Sequence, residues 1–106
     1  MNAWPIGPVQ KIIAAVSAET GVPVGAIQSP QRLREIVRAR HVAMLIAWNR
    51  LPNWEAKRIA RVFGRDRSTV ETGVAKIAVR VEQEPKVRDL VARVIARLEG
   101  AQEGTV

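Results

Sequence analysis

The chain has 106 residues, 17 Lys and Arg against 10 Asp and Glu, a net charge of +7 and 47% apolar residues, which is material for one domain with a single core. It has no cysteine and one histidine, which excludes disulfides, thiolate zinc sites, thiol catalysis and histidine-cluster metal sites. No apolar run approaches the length of a bilayer span, and Met1 to Pro5 lacks the basic and apolar regions of a signal peptide, so the expectation is a small soluble intracellular protein whose basic surface takes a polyanion.

Strand signals are weak, because Tyr is absent, Phe63 is the only Phe, and no period-2 alternation is sustained. The expected fold class is all-α, with five to six helices around a helix-turn-helix. Residues 1–7 read as an N-terminal arm, 8–100 as the domain and 101–106 as a frayed tail. The first helix is predicted from Pro8 to Thr20, with Pro8 in the first turn and Gly21 and Pro23 closing it. Val22 to Ser29 reads as a loop that tucks Val24 and Ile27 under the core. A long helix is predicted next, with Ser29 as N-cap, Pro30 at the first helical position and an end near Leu51. Leu33, Ile36, Val37, Ala43, Met44 and Ala47 form its expected buried stripe, while Arg34, Arg38 and His41 fall on another face, from which His41 can approach a phosphate when protonated.

Pro52-Asn53 breaks the chain, and a short helix from about Trp54 to Phe63 follows, with Gly64 placed as a left-handed C-cap. The next helix runs from Asp66 or Arg67 to about Glu82. Ser68-Thr69-Val70-Glu71 has the S-x-x-E form of a capping box, and Asp66 is a competing N-cap. Val70, Val74, Ile77 and Val81 make its apolar seam. After Glu84-Pro85 a last helix is expected to end near Leu98, stopped by Gly100.

The helices on either side of Gly64 have the form of a helix-turn-helix, whose second helix presents its N-terminal residues to the major groove. The charge supports this placement. Between Pro30 and Arg67 stand ten basic residues (Arg32, Arg34, Arg38, Arg40, Arg50, Lys57, Arg58, Arg61, Arg65 and Arg67) and three acids (Glu35, Glu55 and Asp66), while the remainder is neutral. Arg67 is suited to a bidentate pair with guanine, Glu71 to accepting from a cytosine amino group, and Thr72 extends the same edge. A solvated basic helix face is the plain alternative.

Ile59-Ala60-Arg61-Val62-Phe63-Gly64-Arg65-Asp66-Arg67-Ser68-Thr69-Val70, continuing to Lys76-Ile77, resembles the signature of the C-terminal DNA-binding domain of the bacterial replication initiator DnaA, roughly I-G-x-x-F-G-G-R-D-H-[ST]-T-V-x-H-A-x-x-K-I. Ala39-Arg40-His41-Val42-Ala43-Met44 is similar to that family's A-R-Q-x-A-M helix, and Val9-Gln10-Lys11 to its I-Q-K. The resemblance covers roughly residues 8 to 99. It implies a minor-groove arginine at Arg32, a phosphate contact at Arg40, the Arg-Asp opening of the recognition helix at Arg65 and Asp66, base- or phosphate-contacting hydroxyls at Ser68 and Thr69, and a further groove lysine at Lys76.

Three features depart from the pattern. One glycine of the Gly-Gly turn is missing, Arg67 replaces the base-reading His, and the later His-Ala is replaced around Glu71-Thr72-Gly73. Those positions carry sequence choice, so a target other than the initiator's usual box is implied. No G-x-x-x-x-G-K-[ST] motif occurs in these residues, so the nucleotide-binding module is not expected within them.

The function expected is a double-stranded DNA-binding regulator of transcription or replication, acting as a monomer or weak dimer in the cytoplasm on the nucleoid. No catalytic residue, metal or cofactor is expected. RNA polymerase and replication-control proteins stand as further partners. The alternative is a protein-interaction adaptor on the same fold, for which Trp48 and Trp54 would be anchors rather than half-buried core residues. Met1 suggests a natural start, while the abrupt end at Val106 suggests a boundary within a longer protein.

Overall fold

A computed structural model describes residues 7–52 and 54–103, with side chains up to residue 100. Six helices follow in order: α1 (Pro8–Thr20), α2 (Val24–Ile27), α3 (Arg34–Arg50), α4 (Ala56–Val62), α5 (Arg67–Gln83) and α6 (Pro85–Glu103). The described residues contain no strand. The predicted arm short of Gly7, Asn53 of the predicted break and the last three tail residues lie outside them.

Helix α3 is the central element. It packs against α1 on one side and α5 on the other, while α6 covers α1 and α5 and α4 leans on α5. Its apolar positions explain that role. Ala39, Val42, Ala43, Met44, Ile46 and Ala47 are all buried, a wider arc than one amphipathic stripe, so neighbours are needed on more than one side. Ile12, Ile13 and Val16 face it from α1, and Val70 and Ile77 from α5. Val87, Leu90 and Val94 close the core from α6. Phe63, only 1% exposed, anchors the end of α4.

Helix α1 begins at Pro8 and ends on Gly21, as the sequence predicts, and Gly21 adopts a left-handed conformation at φ 79°. The segment after it is not a plain loop. It forms the single turn α2, which buries Val22 and Ile27 and leaves Val24 42% exposed rather than under the core.

The start of α3 also differs from expectation. The helix begins at Arg34 with Leu33 as its N-cap, which offers no side-chain bond, and Leu33 is 61% exposed rather than part of the buried stripe. Ser29 caps nothing in α3. Its hydroxyl donates to the Ala26 carbonyl (2.6 Å) and accepts from the Gln31 N–H (3.1 Å). The carbonyls of Ser29 and Gln31 turn toward the Arg40 guanidinium (2.6 and 2.9 Å), so they do not open a helix.

The turn between α4 and α5 follows the predicted pattern, with Gly64 at φ 65°. The N-cap of α5 is Asp66, whose carboxylate accepts from the Thr69 N–H (2.9 Å). The predicted Ser68–Glu71 capping box does not form: Ser68 lies inside the helix and Glu71 turns to Arg67. Helix α6 does not stop at Gly100 but continues to Glu103. Gly100 has no positive φ, and a helical glycine costs only about 1 kcal/mol relative to alanine, too little to end a helix by itself.

Candidate nucleic-acid interface

A groove of about 650 Å³ runs between the segment before α3, the outer face of α3 and the first three turns of α5. Four cations line it: Arg32, Arg40, Arg65 and Lys76. Ser68, Thr69 and Thr72 supply hydroxyls from α5, and Pro30, Val37, Met44, His41 and Gly73 complete the walls and floor. No Asp or Glu lines it. Convergent cations without carboxylates make a field that attracts polyanions and focuses within a concave surface.

Arg40 is the least exposed of these cations, at 4%. Its Nε donates to the Ile27 carbonyl (2.8 Å), and its Nη2 donates to the carbonyls of Ser29, Gln31 and Ala26 (2.6, 2.9 and 3.3 Å). The charge stays buried without an acid partner because carbonyl dipoles solvate it. Burial, and then the neighbouring Arg65 and Arg32, pull its pKa down. Arg40 thus clamps the segment that carries Pro30 and Arg32, and only Nη1 makes no hydrogen bond among the described residues.

Arg65 joins the same clamp. Its Nη2 donates to the Ser29 carbonyl (2.8 Å), which ties the helix-turn-helix turn to the segment before α3. Its backbone N–H bonds the Ala60 carbonyl (3.0 Å) and closes the turn after α4. Arg32 is exposed and precedes α3 rather than lying within it.

At the start of α5, Oδ1 of Asp66 accepts three bonds: from the Thr69 N–H (2.9 Å), the Thr69 hydroxyl (2.7 Å) and the Ser68 hydroxyl (3.1 Å). The Thr69 hydroxyl foremost, then its N–H and the Ser68 hydroxyl, lower the Asp66 pKa, because each bond favours the charged form. Asp66 is therefore an organiser of the helix end that sets the rotamers of two groove residues. Arg67 lies outside the groove lining and pairs with Glu71 one turn on (3.1 Å). Both are exposed on the adjoining surface of α5, where such a pair is weak and readily exchanged for another partner. Thr72 and Lys76 continue along α5 on the groove side.

The structure thus brings seven of the ten predicted site residues into the groove between α5 and the segment facing it, with Arg67 and Glu71 at its rim and Asp66 beneath. Five groove residues were not among them: Pro30, Val37, His41, Met44 and Gly73. His41 is half-buried against Gly73, where an added Cβ would stand 2.9 Å from His41 Cδ2 and 3.3 Å from Met44 Sδ. An isolated glycine inside a strong helical pattern signals close approach of a neighbour, but the pattern does not say which residue approaches.

A family profile described as "Bacterial dnaA protein helix-turn-helix" matches residues 9–77. The chromosomal replication initiator protein DnaA of Deinococcus radiodurans is 30% identical over 92 residues, covering 87% of this chain and 20% of that protein. The protein of the same name from Streptococcus pyogenes serotype M1 is 37% identical over 82 residues, covering 76% of this chain and 18% of that protein. That of Mycoplasma capricolum is 33% identical over 84 residues, covering 78% and 18%. The chain thus spans about a fifth of the length of the curated relatives it matches. With the profile covering most of its helices, including α4, the turn and the start of α5, the chain belongs to the bacterial DnaA helix-turn-helix family.

Proposed function

We propose that this chain binds double-stranded DNA and acts on the nucleoid as a regulator of transcription or replication, with no catalysis of its own. The observation that carries the reading is the carboxylate-free groove in which Arg32, Arg40, Arg65 and Lys76 meet the hydroxyls of α5. In this reading α5 enters the major groove. Arg32, Arg65, Lys76 and the free edge of Arg40 take phosphates or the neighbouring minor groove, which sets register. Ser68, Thr69 and Thr72 approach base edges, and Arg67 and Glu71 exchange their mutual pair for bases. Asp66 acts beneath them by holding Ser68 and Thr69.

Duplex binding measured by fluorescence anisotropy against salt tests it. Neutralising about five phosphates gives a log–log slope of roughly −4 to −5; a flat slope overturns it. Genome-wide occupancy, with Arg67→Ala as control, then reads the target. The adaptor alternative finds less support. Trp54 is half-buried with the Arg58 guanidinium 3.8 Å above its ring, which engages one face of the indole. Trp48, at 36% exposed, is the freer of the two.

A further inference from the structure

The floor of the groove holds a group that a phosphate contact alone does not explain. His41 is the only histidine of the chain, and the chain has no cysteine, so no other side chain has an ordinary pKa between pH 5 and 8. Its ring is half-buried between α3 and α5, and the missing side chain of Gly73 makes the room it occupies. No hydrogen bond to the ring forms among the described residues, and neither ring nitrogen is both buried and unpartnered.

The charges around it are all of one sign. Arg40 faces it from α3, Arg65 from the turn, and Lys76 and Arg80 from α5. Arg80 is itself held by Glu84 (2.8 Å). The acids at the near end of α5 are engaged elsewhere, Asp66 by Thr69 and Ser68 and Glu71 by Arg67. Burial first, and then these four cations, hold the imidazole below the ordinary histidine pKa. The free protein therefore carries it neutral at pH 7.

We propose that His41 is a phosphate-contacting residue on the floor of this groove, and that binding of a duplex carries a proton from solvent onto its imidazole. A backbone phosphate brought into the groove replaces solvent with an anion and offsets the cations around the ring. The imidazolium that results donates N–H to the phosphate oxygen, and the ring loses its proton again when the duplex leaves. Because the bound state holds more protons, affinity rises as pH falls through the pKa of the complex, and the gain is complete below that of the free protein.

This step rests on the duplex-binding reading of the groove, and the experiment separates the two. Untagged protein is titrated with a mixed-sequence duplex at fixed ionic strength from pH 6 to 8, and by calorimetry in buffers of different ionisation enthalpy. The expected result is uptake of up to one proton per site and an affinity that rises up to about ten-fold per pH unit. Both effects disappear in His41→Gln. The single imidazole Cε1–H resonance supplies a measurement that needs no variant: its pKa is higher in the complex than in the free protein. Binding with the same pH slope in both proteins and an unmoved resonance overturns the proton coupling and leaves duplex binding standing. Absence of binding at every pH overturns both.

Discussion

Arg40→Met separates two roles that the same residue supports. Methionine keeps an unbranched stem of comparable helix propensity, so the substitution removes donors and charge with little change in α3 itself. The Ile27 carbonyl bond is fully buried, and an orphaned buried acceptor costs about 1–3 kcal/mol. The carbonyls of Ala26, Ser29 and Gln31 are only partly buried, and Ser29 keeps its Arg65 donor. Losing these bonds costs about 0.5 kcal/mol each, and release from desolvating a guanidinium offsets part of the whole. The net expectation is destabilisation of about 2–4 kcal/mol, a large share of the roughly 5–15 kcal/mol of an ordinary domain. In urea that lowers the midpoint by about 1–3 M, and duplex affinity falls with it because the clamp positions Arg32 and Arg65. If Arg40→Met unfolds at the wild-type midpoint yet binds DNA poorly, Arg40 is a phosphate contact and the clamp contributes nothing to stability.

Gly64→Ala forces a Cβ into the left-handed turn at φ 65°; about 1–2 kcal/mol of lost stability lowers the thermal midpoint by about 4–8 °C per kcal/mol, and an unchanged midpoint refutes the turn assignment. Arg67→Ala touches an exposed pair with Glu71, so stability stays within about 0.5 kcal/mol while discrimination between cognate and mixed-sequence duplexes falls; equal discrimination by both proteins removes Arg67 from base reading. The pKa values of Asp66, Glu19 and Glu84 are lowered, chiefly by Thr69, Arg97 and Arg80 respectively. The stability they contribute is present above the ordinary carboxylate range and is lost as pH falls through their lowered values. Urea midpoints from pH 6 to 2.5 should decline accordingly, less steeply in Asp66→Asn combined with Glu19→Gln and Glu84→Gln; identical profiles refute the assignment.

Local chemistry made much of this protein legible in its sequence. Pro8 and Gly21 bracket α1, Gly64 marks the turn, and the spacing of Val70 and Ile77 places α5, because these effects act within a few residues of the chain. The concentration of Arg between Pro30 and Arg67, and the family pattern around Gly64, marked the segments that line the cationic groove. What sequence periodicity misplaced were features decided by partners distant in the chain. Ser29 and Pro30 carry the signals of a helix start, yet Arg40, eleven residues beyond Ser29, turns the carbonyls of this segment away from the helix. His41 reads as a helix-face residue that approaches a phosphate when protonated, but only the crossing of α3 over Gly73 half-buries it on the floor of a cationic groove. Caps, turns and apolar periods follow from short-range sterics and hydrogen bonding, so one chain suffices to read them. Which carbonyls a guanidinium takes, and which charges surround an imidazole, depends on how whole helices cross, and that is set by the packing of the core.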